Sequence, residues 1–100
     1  MIASSNNVII AKLLTATPTP KISGTATKGS KLTAVAGTWK PSGVTLRYQW
    51  FRDGVAINGA SSKTYTVRSA DKGHRINLTV TGSKSGYTSV SKISAAKKAR

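Results

Sequence analysis

The chain has no cysteine, so it holds neither a disulfide framework nor a thiolate metal site. It has no glutamate and only two aspartates, Asp53 and Asp71, against 16 lysines and arginines. A single histidine, His74, completes the titratable inventory near neutrality. Little is left for catalysis. Paired carboxylates that cleave glycosides must approach one another across a cleft. Asp53 and Asp71 instead sit in separate glycine-containing turns, Asp53-Gly54 and Asp71-Lys72-Gly73. No serine lies in a nucleophile-elbow pattern. Metal ions need clustered carboxylates, imidazoles or thiolates. None is clustered here, and a formal net charge of +14 repels cations. The chain therefore reads as non-enzymatic, with no metal and no cofactor.

Long apolar runs are also missing. The longest stretch, Val8 to Leu14, is interrupted by Lys12 and is too short to span a bilayer. No basic segment precedes it, so it is a poor secretory leader. The expectation is an excised module, or a protein exported or assembled without a leader. No segment keeps a helical period, and three prolines mark turns or stiff joints.

What is present is Ser, Thr and Gly at short intervals. One hundred residues suffice for one domain with a modest core. Turn signals recur along the chain, 4–14 residues apart: Gly24, Gly29, Gly37, Ser42-Gly43, Asp53-Gly54, Asn58-Gly59, Gly73, Gly82 and Gly86. Between them the residues alternate, as strands with one buried face do. Leu32, Ala34 and Ala36 share a face, as do Tyr65 and Val67, and Ile76, Leu78 and Val80. Leu46, Tyr48 and Trp50 share another, which assigns Tyr48 and Trp50 to the core. The pattern predicts about seven antiparallel strands, at 21–26, 31–36, 44–52, 55–57, 63–67, 74–82 and 87–94, packed as an all-β sandwich. Val90 and Ile93 differ in parity, so a bulge or a register change is expected in the last strand. Three regions follow: residues 1–17 as a linker, an extra strand or an assembly arm, 18–95 as the domain, and 96–100 as a frayed basic tail.

The segments "LRYQWFRDG", "VAINGASSKTYTV" and "RSADKGHRINLTV" bring this pattern close to a known family. The span from Pro18 to Ala95 resembles a bacterial immunoglobulin-like repeat of Gram-positive cell-surface and secreted proteins. Similar modules occur in phage virion proteins. The resemblance implies an Ig-like β-sandwich, with Trp50 on strand C and Ala70-Asp71-x-Gly73 at the E–F corner. It implies no catalytic motif, because such modules act as spacers and binders. Two departures stand out. The inter-sheet cysteine pair of antibody-type domains is absent, and Leu32 or Ala34 with Leu78 fills its place. His74 and Arg75 stand where an antibody-type domain has its corner tyrosine.

The functional expectation rests on charge. So basic a chain is drawn to anionic polymers. With strands C, F and G adjacent, the outer face of their sheet would carry Arg47, Gln49, Phe51, Arg75 and Asn77, with Lys92 from the last strand. Cations interleaved with an aromatic and amides suit a polyanion or glycan surface. Phe51 is either covered by the N-terminal segment or part of that surface. Trp39 either caps one end of the sandwich or faces a ligand. Asp53 and Asp71, with Gly73, are structural turn residues. No nucleic-acid recognition motif is present, which argues against sequence-specific readout. The expected role is a structural or adhesive module outside the cytoplasm, attached to an anionic polymer such as bacterial cell wall, or to another protein. The alternative is a virion subunit whose residues 1–17 contact neighbouring subunits.

Overall fold

The structure is a computed structural model that describes residues 12–100. Among these residues there are eight strands: β1 (Lys21–Ser23), β2 (Lys31–Val35), β3 (Thr45–Arg52), β4 (Val55–Ala56), β5 (Thr64–Thr66), β6 (Arg75–Ser83), β7 (Val90–Ile93) and β8 (Lys97–Lys98). One short 3₁₀ turn, Ser69–Asp71, joins β5 to β6. The strands form two antiparallel sheets. The first has the order β1-β2-β5, the second β4-β3-β6-β7, and β8 also pairs with β6.

Alternation builds the core. Leu32 and Ala34 of β2, Tyr65 of β5, Trp50 of β3 and Ile76, Leu78 and Val80 of β6 are all buried between the sheets. A fully buried side chain of this size contributes roughly 2 kcal/mol. The Trp50 ring stacks on Tyr65 with centroids 5.6 Å apart, and its indole N–H donates to the Ser62 carbonyl at 2.8 Å. The two sheets are thus joined at their centre by one aromatic pair whose polar atom is satisfied.

Turn chemistry sets the connections. β3 and β4 are joined by Asp53 and Gly54, with φ of 51° and 81°. A two-residue hairpin loop with both φ values positive matches the twist of its strands, and Asp and Gly are residues that tolerate it. Gly82 has a different reason. Its φ is ordinary, but a Cβ there would lie 2.5 Å from the Trp39 ring. Trp39 is buried over that glycine and donates its indole N–H to the Ala36 carbonyl at 2.9 Å. It closes one end of the sandwich and is not a ligand plate.

Three expectations need correction. First, the register runs without a break through β7, where Val90 faces the core side and Ile93 faces out. The extra residue comes later. Thr79 pairs with Ile93, but Ile76 pairs with Lys97. Three steps on β6 therefore face four on the opposite chain, a bulge between β7 and β8. Ser94 fills the gap: its hydroxyl accepts the Leu78 N–H at 3.0 Å, and its N–H donates to the Leu78 carbonyl. Second, residues 96–100 are not frayed. β8 pairs with β6, Ala99 is buried, and the Arg100 N–H reaches the Ala26 carbonyl. Third, residues 12–16 are not a free arm. They are bonded through backbone to Lys40 and to residues 86–88. Residues 1–11 of the expected arm lie outside the described residues.

Candidate functional site

The outer face of the β3–β6–β7 sheet is set by register. Arg47 lies opposite Thr81, Gln49 opposite Thr79, and Phe51 opposite Asn77. Across β6, Thr79 faces Ile93 and Thr81 faces Ser91, while Arg75 faces Lys98. Arg47, Gln49, Phe51, Arg75 and Asn77 therefore share this surface. Lys92 does not. It pairs with Val80, a core residue, and so takes the opposite face. The β7 parity that turns Val90 inward turns Lys92 with it and sends Ile93 out. Ile93 is 61% exposed and, with Phe51, Asn77 and Thr79, lines a depression of about 130 Å³. Ligand pockets run from about 300 to 1,000 Å³. This depression is too small to enclose a ligand, so the face can only act as a flat contact surface.

Gln49 is committed elsewhere. Its amide nitrogen lies within 2.9–3.2 Å of the carbonyl oxygens of Trp50, Ile57 and Ala60. The side chain ties the loop after β4 to the centre of β3. Phe51 has no cover from residues 12–16, which pack at the other end of the sheet near Lys40 and Tyr87.

The two acids sit together at the Arg52 end of the sandwich. Asp71 is fully enclosed. Its carboxylate accepts the Tyr65 hydroxyl at 2.5 Å, the Arg68 backbone N–H at 2.8 Å and the Arg52 guanidinium at 2.7 Å. Burial alone would raise its pKa, but the hydrogen bonds from Tyr65, Arg68 and Arg52 overcome that and hold the carboxyl below its ordinary range. Burial and the bond to Asp71 push the Tyr65 phenol up to about 12. Asp53 accepts the Arg75 N–H at 2.9 Å and pairs with His74 Nδ1. The Arg75 bond, then the His74 bond, lower its pKa. Asp71 is therefore more than a turn residue: it is the hub that fastens the β5–β6 corner to the end of β3. Sequence spacing could not show this, because Arg52 and Tyr65 reach it only through the fold. Gly73 adopts the positive φ of 81° that carries the chain from this hub into β6.

The consequence for the surface is electrostatic. Among the described residues, which hold all 16 lysines and arginines and both acids, only Arg52 is paired with an aspartate. The other cations have no carboxylate partner, and most of them face solvent. No group of three or more His, Asp or Glu that could hold a metal occurs among the described residues. No described helix is long and apolar enough to cross a membrane.

These features define an all-β protein of two antiparallel sheets with a basic exterior. No protein-family model, curated protein or solved structure matches the chain.

Proposed function

We propose that this chain is a non-catalytic, immunoglobulin-like β-sandwich module that attaches to an anionic surface outside the cytoplasm. The partner in this reading is a cell-wall polymer or an acidic protein. The sheet orders β1-β2-β5 and β4-β3-β6-β7 support the Ig-like part, since they follow the A-B-E and C′-C-F-G arrangement of that sandwich. The observation that carries the binding part is that both acids are engaged within the domain, Asp71 buried and Asp53 half-exposed. Asp71 is enclosed and Asp53 is engaged by His74 and Arg75, so the cations act on a partner without internal competition. Dispersed lysines and arginines attract a polyanion by many weak contacts, screened within about 8 Å at physiological salt. Arg47, Phe51, Arg75 and Asn77 supply the orienting face. The virion-arm alternative has less support, because residues 12–16 are held by their own domain.

The test is binding to immobilised anionic polymers over a salt series. The logarithm of affinity should fall linearly with the logarithm of salt, by about 0.7–0.9 for each phosphate neutralised. Absence of binding at low salt to wall polymer and acidic protein alike would overturn the proposal.

A further inference from the structure

Among the described residues, the sandwich is open along one side, where β1 and the β7–β8 bulge approach from different sheets. Among the described residues, β1 pairs only with β2. Two depressions lie along this seam. One, of about 320 Å³, runs between residues 19–22 and residues 95–97. The other, of about 370 Å³, lies between residues 24–26 and Lys97, Lys98 and Arg100. They meet at Lys97. Each has the volume of a ligand pocket, unlike the depression beside Phe51.

The seam is lined by Lys21, Lys97, Lys98 and Arg100, and by no acid. Its floor is apolar, with Pro20, Ile22, Ala95 and Ala96. Lys97 is fixed in place: its ammonium donates to the Gly24 carbonyl at 2.8 Å, across the seam. The bulge is the reason. One extra residue brings Lys97 opposite the buried Ile76, so that its side chain is directed toward β1.

No aromatic residue lines either depression. That selects among polyanions. Grooves that take single-stranded nucleic acid combine cations with aromatic platforms on which bases stack. This seam offers cations, an aliphatic floor and the polar residues Thr19 and Thr25, with no ring on which a base could stack. Such a lining fits a chain whose charges are spaced by flexible aliphatic carbons, with no ring to stack. We propose that the seam binds a linear polyol-phosphate chain, its phosphates on Lys21, Lys97, Lys98 and Arg100 and its carbons over Pro20, Ala95 and Ala96. The inference rests on the polyanion reading above and adds to its orienting face a second contact site, apart from Arg47 and Phe51, with a ligand class of its own.

The experiment is an amide chemical-shift titration at low salt with a short glycerol-phosphate oligomer, and in parallel with an oligothymidylate of equal charge. The oligomer should bind more tightly than the oligothymidylate, with shifts concentrated at Gly24, Thr25, Ala95 and Ala96. The double variant K21Q/R100Q, which changes only exposed side chains, should bind roughly tenfold more weakly, with its salt slope reduced by about 1.4 for two lost contacts. The control K63Q/K84Q removes the same charge away from the seam and should lose less than about threefold. Equal losses in the two variants with scattered shifts would overturn the seam and leave diffuse attachment standing. Tighter binding of the oligothymidylate would overturn the polyol assignment. Failure of the oligomer to bind, while immobilised polyanions still capture the protein, would overturn the seam alone; failure of both would remove the function proposed above as well.

Discussion

Replacing Asp71 with asparagine tests the hub at the β5–β6 corner. The substitution keeps the shape and removes the charge. The carboxylate now accepts three hydrogen bonds, from Tyr65, Arg68 and Arg52. An asparagine side chain keeps one acceptor oxygen and turns an N–H₂ toward groups that themselves donate. At least one buried donor then loses its acceptor, at about 1–3 kcal/mol. The bonds that survive change from charge-assisted to neutral and weaken by roughly half. Arg52 is partly exposed and stays hydrated, so its loss adds little. The expected total is about 2–3 kcal/mol, a melting decrease on the order of 10–20 °C for a domain of this size. Urea unfolding followed by tryptophan fluorescence reads it, since Trp50 stacks on Tyr65. The midpoint should fall with an unchanged m-value. Tyr65→Phe removes one of the same bonds, so the double variant should be less destabilised than the two singles added together. A loss below about 0.5 kcal/mol for Asp71→Asn, or strict additivity with Tyr65→Phe, would refute the hub.

Three further outcomes follow from the same geometry. Asp71 and Asp53 both have folded pKa values below their unfolded ones, so their stabilisation is present above about pH 4 and is lost as pH falls through the folded values. Denaturation midpoints measured from pH 6 to pH 2 should fall only in the lower part of that range, and Asp71→Asn should flatten the fall. Tyr65 has a raised folded value, so its contribution is complete below about pH 10 and is lost as pH rises toward about 12, by roughly 2–3 kcal/mol. Phenolate absorbance should show a late step that Tyr65→Phe removes; a step already complete by pH 10 would contradict the burial of the hydroxyl. Gly82→Ala would place a methyl within 2.5 Å of the Trp39 ring, so about 1–3 kcal/mol of stability should be lost, with a shift in tryptophan emission. Wild-type stability in that variant would show that Trp39 does not lie over β6.

Much of the fold was legible because alternation is a local property. Ile76, Leu78 and Val80 declare a buried face from sequence alone, and Asp53-Gly54 declares a hairpin. What stayed hidden depends on register between distant segments. The strand pattern alone assigns Lys92 to the outer sheet face. Pairing with Val80 turns it away, and Ile93 takes its place. Gln49 looked like a free amide beside Phe51, yet its nitrogen is consumed by carbonyls up to eleven residues along the chain. The conflict between Val90 and Ile93 did signal an irregularity, but its position after Ile93 follows from where β8 meets Ile76. The short strand β8 carried no signal of its own. Two lysines form a strand only because β6 extends past β7 and offers them an open edge.

The internal use of both acids also governs how copies of this protein meet. Asp71 is enclosed, and the half-exposed Asp53 is already engaged by His74 and the Arg75 N–H, so opposite-charge pairing draws copies together only weakly. In dilute salt the molecules behave as mutually repelling basic colloids. A long polyanion reverses that. Each chain can hold several copies, and each copy can touch several chains. Added polyanion therefore acts first as a crosslinker and, in excess, as a disperser. Turbidity should rise and then fall across such a titration, with its maximum near charge balance.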